Sequence, residues 1–440
     1  MYRLFSREIS YFSGKVRAAL RYKERMGSLP EGYEDILATA DIVHSYLLPK
    51  TGTPLLPQLL CPDGTWLQDS SEILDHLDQQ HPTRAITPPP TAPRQMLASL
   101  LLEFLGDEWL INVAFWTRWH FGRKQVTPNH YAFNAQQWSP LFRPQHRPLR
   151  RRKVAEALFK RVMGIERPQE VTRGPFAGLR DLGVNEMTQS AFHESYRRMM
   201  AAFEAHLDHH DFTLGGAPSL GDFGLLGPLY AHIYRDPISG LELRCDFPLV
   251  TEWIERSYGT NDLNARGYAQ TLYRVDESGE LVPVPATSDQ AKLLADDAVP
   301  DSLLPLLGVF FEECWPVLRR SMDVLGAYYR DAGLGPGDPL PSKSFMASPG
   351  FESQQRDAGP LTIPFEIGGI SSRRMLVPNH IWMLQRLENR LQAAIAQSGQ
   401  APILAFLSQW EDGPDLLALP RLLRTCRVAR TGGALVVAET

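Results

Sequence analysis

The chain has 440 residues, 43% of them hydrophobic and 22% charged, with a net charge of −5. That balance excludes a disordered chain, and the length exceeds one average core, so two or three domains are expected. The acidic surplus argues against a protein built to bind nucleic acid, for which a basic domain is the signature.

The N-terminus, MYRLFSREISYF, lacks a charged segment followed by an apolar one, so no secretory signal is expected. No run of about 18 apolar residues offers a spanning helix. Cys61, Cys245, Cys314 and Cys426 are widely separated and form no CxxC pair. A reduced, cytoplasmic protein follows, with neither a membrane nor a nucleic acid as partner.

A short apolar strand, Tyr2 to Phe5, leads into a small-residue turn, Ser10-Tyr11-Phe12-Ser13-Gly14, and then a helix carrying Val16-Arg17. A Pro-punctuated strand follows at 55–60, with Leu56-Pro57 inside it and Thr53-Pro54 just before it. Either X-Pro bond is a candidate cis bond. Asp69-Ser70-Ser71-Glu72 then opens another helix. Residues 1–82 thus read as a small α/β unit, and 83–94 as a stiff Pro-rich linker.

From 95 to 261 the pattern is helical. MLASLLLEFLGDEWLINVAFWTRWHF carries Trp109, Phe115, Trp116, Trp119 and Phe121, a concentration of aromatics suited to an apolar wall, although core packing is the commoner fate at this spacing. Arg118 and His120 lie between the tryptophans. An insertion occupies 122–180, and within it 143–161 holds eight Lys/Arg against one Glu, a pattern of a solvated face or an anionic contact. Ser219-Leu220-Gly221-Asp222 has the spacing of a capping box. His206 and His210 stand four apart, but the sequence supplies no complete ligand set, so no metal is expected. Gly333 to Gly337 lacks the Lys-Ser/Thr of a phosphate cradle and reads as a loop. Residues 262–440 form a mainly helical extension without an assigned role.

The ordered trio of Ser10 turn, Pro57 strand and Asp69-Ser70 helix start resembles the glutathione transferase family. The segment Ala217-Pro218-Ser219-Leu220-Gly221-Asp222-Phe223 resembles its folding signature, with Gly221 where Ala is usual. The resemblance implies an α/β thioredoxin-like N-terminal domain followed by an all-α transferase domain, with the extension beyond them. It implies glutathione as co-substrate, a hydrophobic or aromatic electrophile as second substrate, and a homodimer. Family spacing counted back from Val16-Arg17 implies Ser10 as the hydroxyl that stabilises the thiolate, with Tyr11 and Ser13 as the other candidates. Leu56, Pro57, Asp69 and Ser70 would hold glutathione, and Trp109, Phe115, Trp116 and Trp119 would line the electrophile pocket. A glutathione-dependent isomerase or lyase would share this machinery. A non-catalytic binding or scaffold protein would keep the fold alone.

Overall fold

The computed structural model describes residues 1–120, 137, 153, 182–259, 272–284, 292–340, 361–431 and 434–439. The 122–180 insertion and its basic run fall outside the described residues, apart from Gln137 and Lys153, as does the Trp119 side chain.

Four short strands form the first sheet: β1 (Tyr2–Ser6), β2 (Tyr33–Leu37), β3 (Gln58–Leu60) and β4 (Trp66–Gln68), in the order β2-β1-β3-β4. β1 runs parallel to β2, and β3 runs antiparallel to both β1 and β4. The parallel pair requires a crossover, which α1 (Tyr11–Arg25) supplies. A broken helical stretch from Ala40 to Thr51 follows β2. α2 (Ser70–Gln80) closes the unit by packing Ile73, Leu74 and Leu77 inward. This is the thioredoxin-like arrangement.

The Leu56-Pro57 bond is cis. The strand expected over 55–60 begins only at Gln58, because Pro57 has no N–H for a ladder. Thr53-Pro54 is not among the cis bonds.

The second domain is helical. α3 (Pro93–Phe104) passes through one widened turn, Leu105–Trp109, into α4 (Leu110–His120). α5 (Gln189–Leu207), α6 (Leu220–Pro228), α7 (Pro237–Asp246) and α8 (Pro248–Tyr258) complete it. α6 is buried along its whole length and starts with the expected capping box, in which the Ser219 N–H donates to Asp222 Oδ2 at 2.8 Å. Gly221 does not loosen this start. A Cβ there would lie 2.9 Å from Leu102 Cβ, and its N–H donates to Ser99 Oγ at 2.8 Å. The small residue allows α6 to cross α3 at close range.

The extension adds α9 (Leu304–Val309), α10 (Trp315–Ala332), α11 (Asn379–Ser398) and α12 (Ala401–Leu407). Its described residues also form three hairpins: β5 (Leu272–Val275) with β6 (Leu281–Val284), β7 (Thr362–Ile367) with β8 (Ile370–Met375), and β9 (Val428–Thr431) with β10 (Ala434–Val437). The β7–β8 turn is Gly368-Gly369, both at positive φ, as a two-residue hairpin turn requires.

One buried ionic network ties the three regions together. Lys15 on α1, wholly buried, donates to Glu103 and Asp107 at 2.6 Å each. Arg386 on α11 pairs with Glu103 and with Asp75 on α2. Among the described residues no helix is long and apolar enough to cross a membrane.

Candidate functional site

β1 delivers the chain to a turn that the surrounding protein holds on several sides. The Ser10 N–H donates to the Arg7 carbonyl at 3.1 Å, and Arg7 Nε donates to the Ala38 carbonyl at 2.8 Å. Arg118 Nη1 donates to the Ile9 carbonyl at 3.2 Å, while its guanidinium pairs with Asp236 at 2.9 Å. Arg118 and Asp236 are both buried, so the arginine noted between the tryptophans is committed to supporting this turn.

The three hydroxyls of the turn occupy different surroundings. Ser10 is the N-cap of α1, its Oγ accepting from the Ser13 N–H at 3.4 Å, and it is half-buried. Tyr11 is buried and donates to the Gly106 carbonyl. Burial, then the Asp107 and Glu108 carboxylates, pushes its phenol well above the ordinary range. Ser13 is wholly buried, and its Oγ faces the Arg7 N–H at 3.4 Å. Of the three, only Ser10 is not buried, and it sits on the positive end of a 15-residue helix.

Pro57 follows a loop stapled from inside. Gln58 Nε2 donates to the carbonyls of Thr53 at 2.8 Å and Leu55 at 2.9 Å. Leu56, half-buried, packs with Trp66 in a small cluster around Phe5.

Asp69 caps α2 from a backbone with φ of 92°, a region that favours glycine and costs a residue with a Cβ about 1–3 kcal/mol. Two contacts offset that cost. Its Oδ1 accepts from the Ser71 N–H at 2.9 Å, and its Oδ2 accepts from Arg430 Nη2 at 2.7 Å. Ser70 beside it is 4% exposed. Ser71 turns inward to Glu103, with Oγ 2.8 Å from Oε1.

Beside this helix start is a cavity of about 200 Å³ lined by Thr51, Thr53, Trp66, Leu67, Gln68, Glu72 and Arg430. Arg430 comes from β9 of the extension, lies 4.0 Å over the Trp382 ring and donates to Asn379 Oδ1 at 3.0 Å. Sequence reasoning did not reach Arg430 or Trp382. Glu72 had a signal, since it stands in the same helix start as Asp69. A second cavity, about 290 Å³, lies between the end of α5 and the Gly215-Gly216 turn and shares no residue with the first.

The aromatic segment divides. Trp109 is buried, donates to Glu313 Oε2 at 2.9 Å and packs 5.8 Å from Phe192. Phe115 is half-buried, 5.1 Å from His232, which is itself 5.6 Å from Tyr11. Trp116 is half-buried, 6.0 Å from His193. Phe115 is therefore the aromatic that shares a neighbour with the Ser10 turn.

His206 hydrogen-bonds through both ring nitrogens, to Ser302 Oγ and the Phe212 carbonyl. No group of three or more potential ligands for a metal occurs among the described residues.

Residues 4–88 match the family model for the glutathione S-transferase N-terminal domain, and residues 172–256 match that for the C-terminal domain. No curated protein matches the chain. Among solved structures, a glutathione S-transferase from Rhodospirillum rubrum F11 is 17% identical, with 66% of this chain and 98% of that one covered and a TM-score of 0.33. One from Methylobacterium radiotolerans, complexed with glutathione sulfonate, is 20% identical over 59% of this chain and 93% of its own, with a TM-score of 0.33. A family member from Pseudomonas fluorescens Pf-5 with bound glutathione is 17% identical over 58% and 92%, with a TM-score of 0.31. With both domain models matched in order on the sheet and helices described above, the chain carries the N- and C-terminal domains of the glutathione S-transferase family.

Proposed function

We propose that the protein is an enzyme that binds glutathione and activates its thiol for attack on a hydrophobic or aromatic electrophile. The observation that carries this reading is Ser10, the half-buried N-cap of α1 at the end of β1, next to a fold that also holds the cis Leu56-Pro57 bond and the Asp69 cap. Glutathione would lie along Leu56, Pro57, Asp69 and Ser70, with its sulfur toward Ser10. The thiol proton leaves to solvent, and the Ser10 hydroxyl and the positive helix end stabilise the sulfur anion. The thiolate then forms a carbon–sulfur bond as the leaving group departs with its electron pair. Phe115 and Trp116 offer apolar surface on α4 for the electrophile. The same reading includes a homodimer, for which light scattering would return twice the mass of one chain.

A titration of wild type and Ser10→Ala with glutathione tests this, following heat and thiolate absorbance together. Binding with a thiolate signal that Ser10→Ala removes is the expected result. No heat at millimolar glutathione would defeat it.

One observation favours a second reading, a binding or scaffold protein. Asp69, one of the residues expected to hold glutathione, is already paired with Arg430 from the extension. On that reading the extension has closed the cleft, and glutathione would give no heat.

A further inference from the structure

We propose that the C-terminal extension completes the ligand site, with Arg430 receiving the carboxylate of a zwitterionic α-amino-acid head and Glu72 its ammonium. This rests on the glutathione reading, since the γ-glutamyl end of glutathione carries such a head, and it assigns part of that end to a residue outside both transferase domains.

The cavity contains one cation and one anion held in loose ionic contact, with no hydrogen bond between them. Arg430 Nε is 3.9 Å from Glu72 Oε1, too far for a hydrogen bond, and this Nε is buried without a hydrogen-bond partner. A planar guanidinium with an unused N–H suits a carboxylate better than a point charge would. Its position is fixed from three sides, by Asp69, Asn379 and the Trp382 ring. Such anchoring is what a binding group needs, because little freedom is lost when the ligand arrives. Asp69 is then the group that orients Arg430, and Glu72 is the acid of the cavity that Arg430 does not hydrogen-bond.

Charge selects the ligand class. Asp69, Glu72 and Arg430 together carry about one negative charge, so a bare anion is disfavoured there. A bare cation would meet Arg430. A zwitterion satisfies both sides, and Thr51, Thr53 and Gln68 supply the polar rim. About 200 Å³ equals the share of roughly seven liquid waters, enough for an amino-acid head and its first methylenes. The remainder of the peptide would leave past the Thr53 to Pro57 loop.

The test is calorimetry on the full chain with glutathione and with its analogue bearing a carboxamide for the γ-glutamyl α-carboxylate. Arg430→Gln should weaken glutathione about tenfold or more, as loss of a charge-assisted hydrogen bond does. The analogue should bind both proteins with that same weakened affinity, and Arg430→Lys should recover part of the loss. Unchanged glutathione affinity in Arg430→Gln would overturn the proposal, and so would losses that add in full between variant and analogue. If wild type gives no heat with glutathione, the transferase reading fails on its own. L-glutamine is then the probe: binding that Arg430→Gln abolishes supports the zwitterion site, and no binding overturns it. If Arg430→Gln does not fold, Glu72→Gln takes its place. It should weaken glutathione about fivefold but leave N-acetylglutathione unaffected, and equal affinity for glutathione in variant and wild type overturns the proposal.

Discussion

Arg118 and Ile9 are 109 residues apart, yet the guanidinium of one donates to the carbonyl of the other at 3.2 Å, one residue before Ser10. The same guanidinium pairs with Asp236 inside the helical domain. The turn that presents Ser10 is therefore held by the second domain as well as by its own sheet. Arg118→Leu would strand Asp236 as a buried, unpaired charge, which costs about 3–5 kcal/mol. Urea denaturation should show that loss. Crude activity should fall more than the folded fraction does, because the Ile9 carbonyl is also released.

Gly224 tests the crossing of α6 over α3. A Cβ there would stand 2.5 Å from Glu103 Cα, and the contact is backbone that cannot swing away. Alanine gains about 1 kcal/mol of helix propensity over glycine. Overpacking of a tight core costs about 1–3 kcal/mol, more where backbone must move. The clash should win, so Gly224→Ala is expected to lower stability by about 2 kcal/mol in a denaturant titration.

Local signals in the sequence carried the local parts of this fold. The Ser219–Asp222 capping box was legible because all its atoms lie within four residues. The Ser10 turn and the Asp69 cap were legible for the same reason. The choice between Leu56-Pro57 and Thr53-Pro54 was not, since both bonds present the same local chemistry and the surrounding fold decides. The β7–β8 hairpin had a readable sign, Gly368-Gly369 between two strand-forming runs, but it sits at the end of a Gly/Pro-rich stretch that reads as separator. Arg430 at Asp69 had no sign at all: 361 residues separate them, and an arginine in a polar segment looks like solvent-facing charge. Arg118 likewise looks like a solvent-facing charge until Asp236 and Ile9 are brought to it.

Arg386 tests how the extension is attached. It forms a bidentate pair with Asp75, at 2.7 and 2.8 Å, and reaches the wholly buried Glu103. Burial alone would raise the Glu103 carboxyl, but Arg386 and then Lys15 hold it below the usual carboxylate range. Arg386→Met removes the larger of these two favourable contributions and leaves Glu103 to Lys15. A loss of about 3–5 kcal/mol is expected, with protease cleavage of the extension before the rest of the chain.

His206 provides the pH dependence. Burial lowers its pKa to about 4 from the ordinary 6.5, outweighing the Phe212 carbonyl, with His210 and His209 adding to the lowering. A carbonyl only accepts, so Nε2 carries the proton toward Phe212, and Nδ1 accepts from the Ser302 hydroxyl. Protonation would remove that acceptor. The folded state therefore takes up its proton later than the unfolded chain does. The stability tied to this group is fully present above about pH 6.5, falls as pH drops toward 4, and is gone below that. The full shift corresponds to about 3 kcal/mol. His206→Gln can keep both hydrogen bonds without titrating, so its unfolding free energy between pH 7 and 4 should fall less steeply than that of wild type. Parallel curves for the two proteins would show that another group controls acid stability.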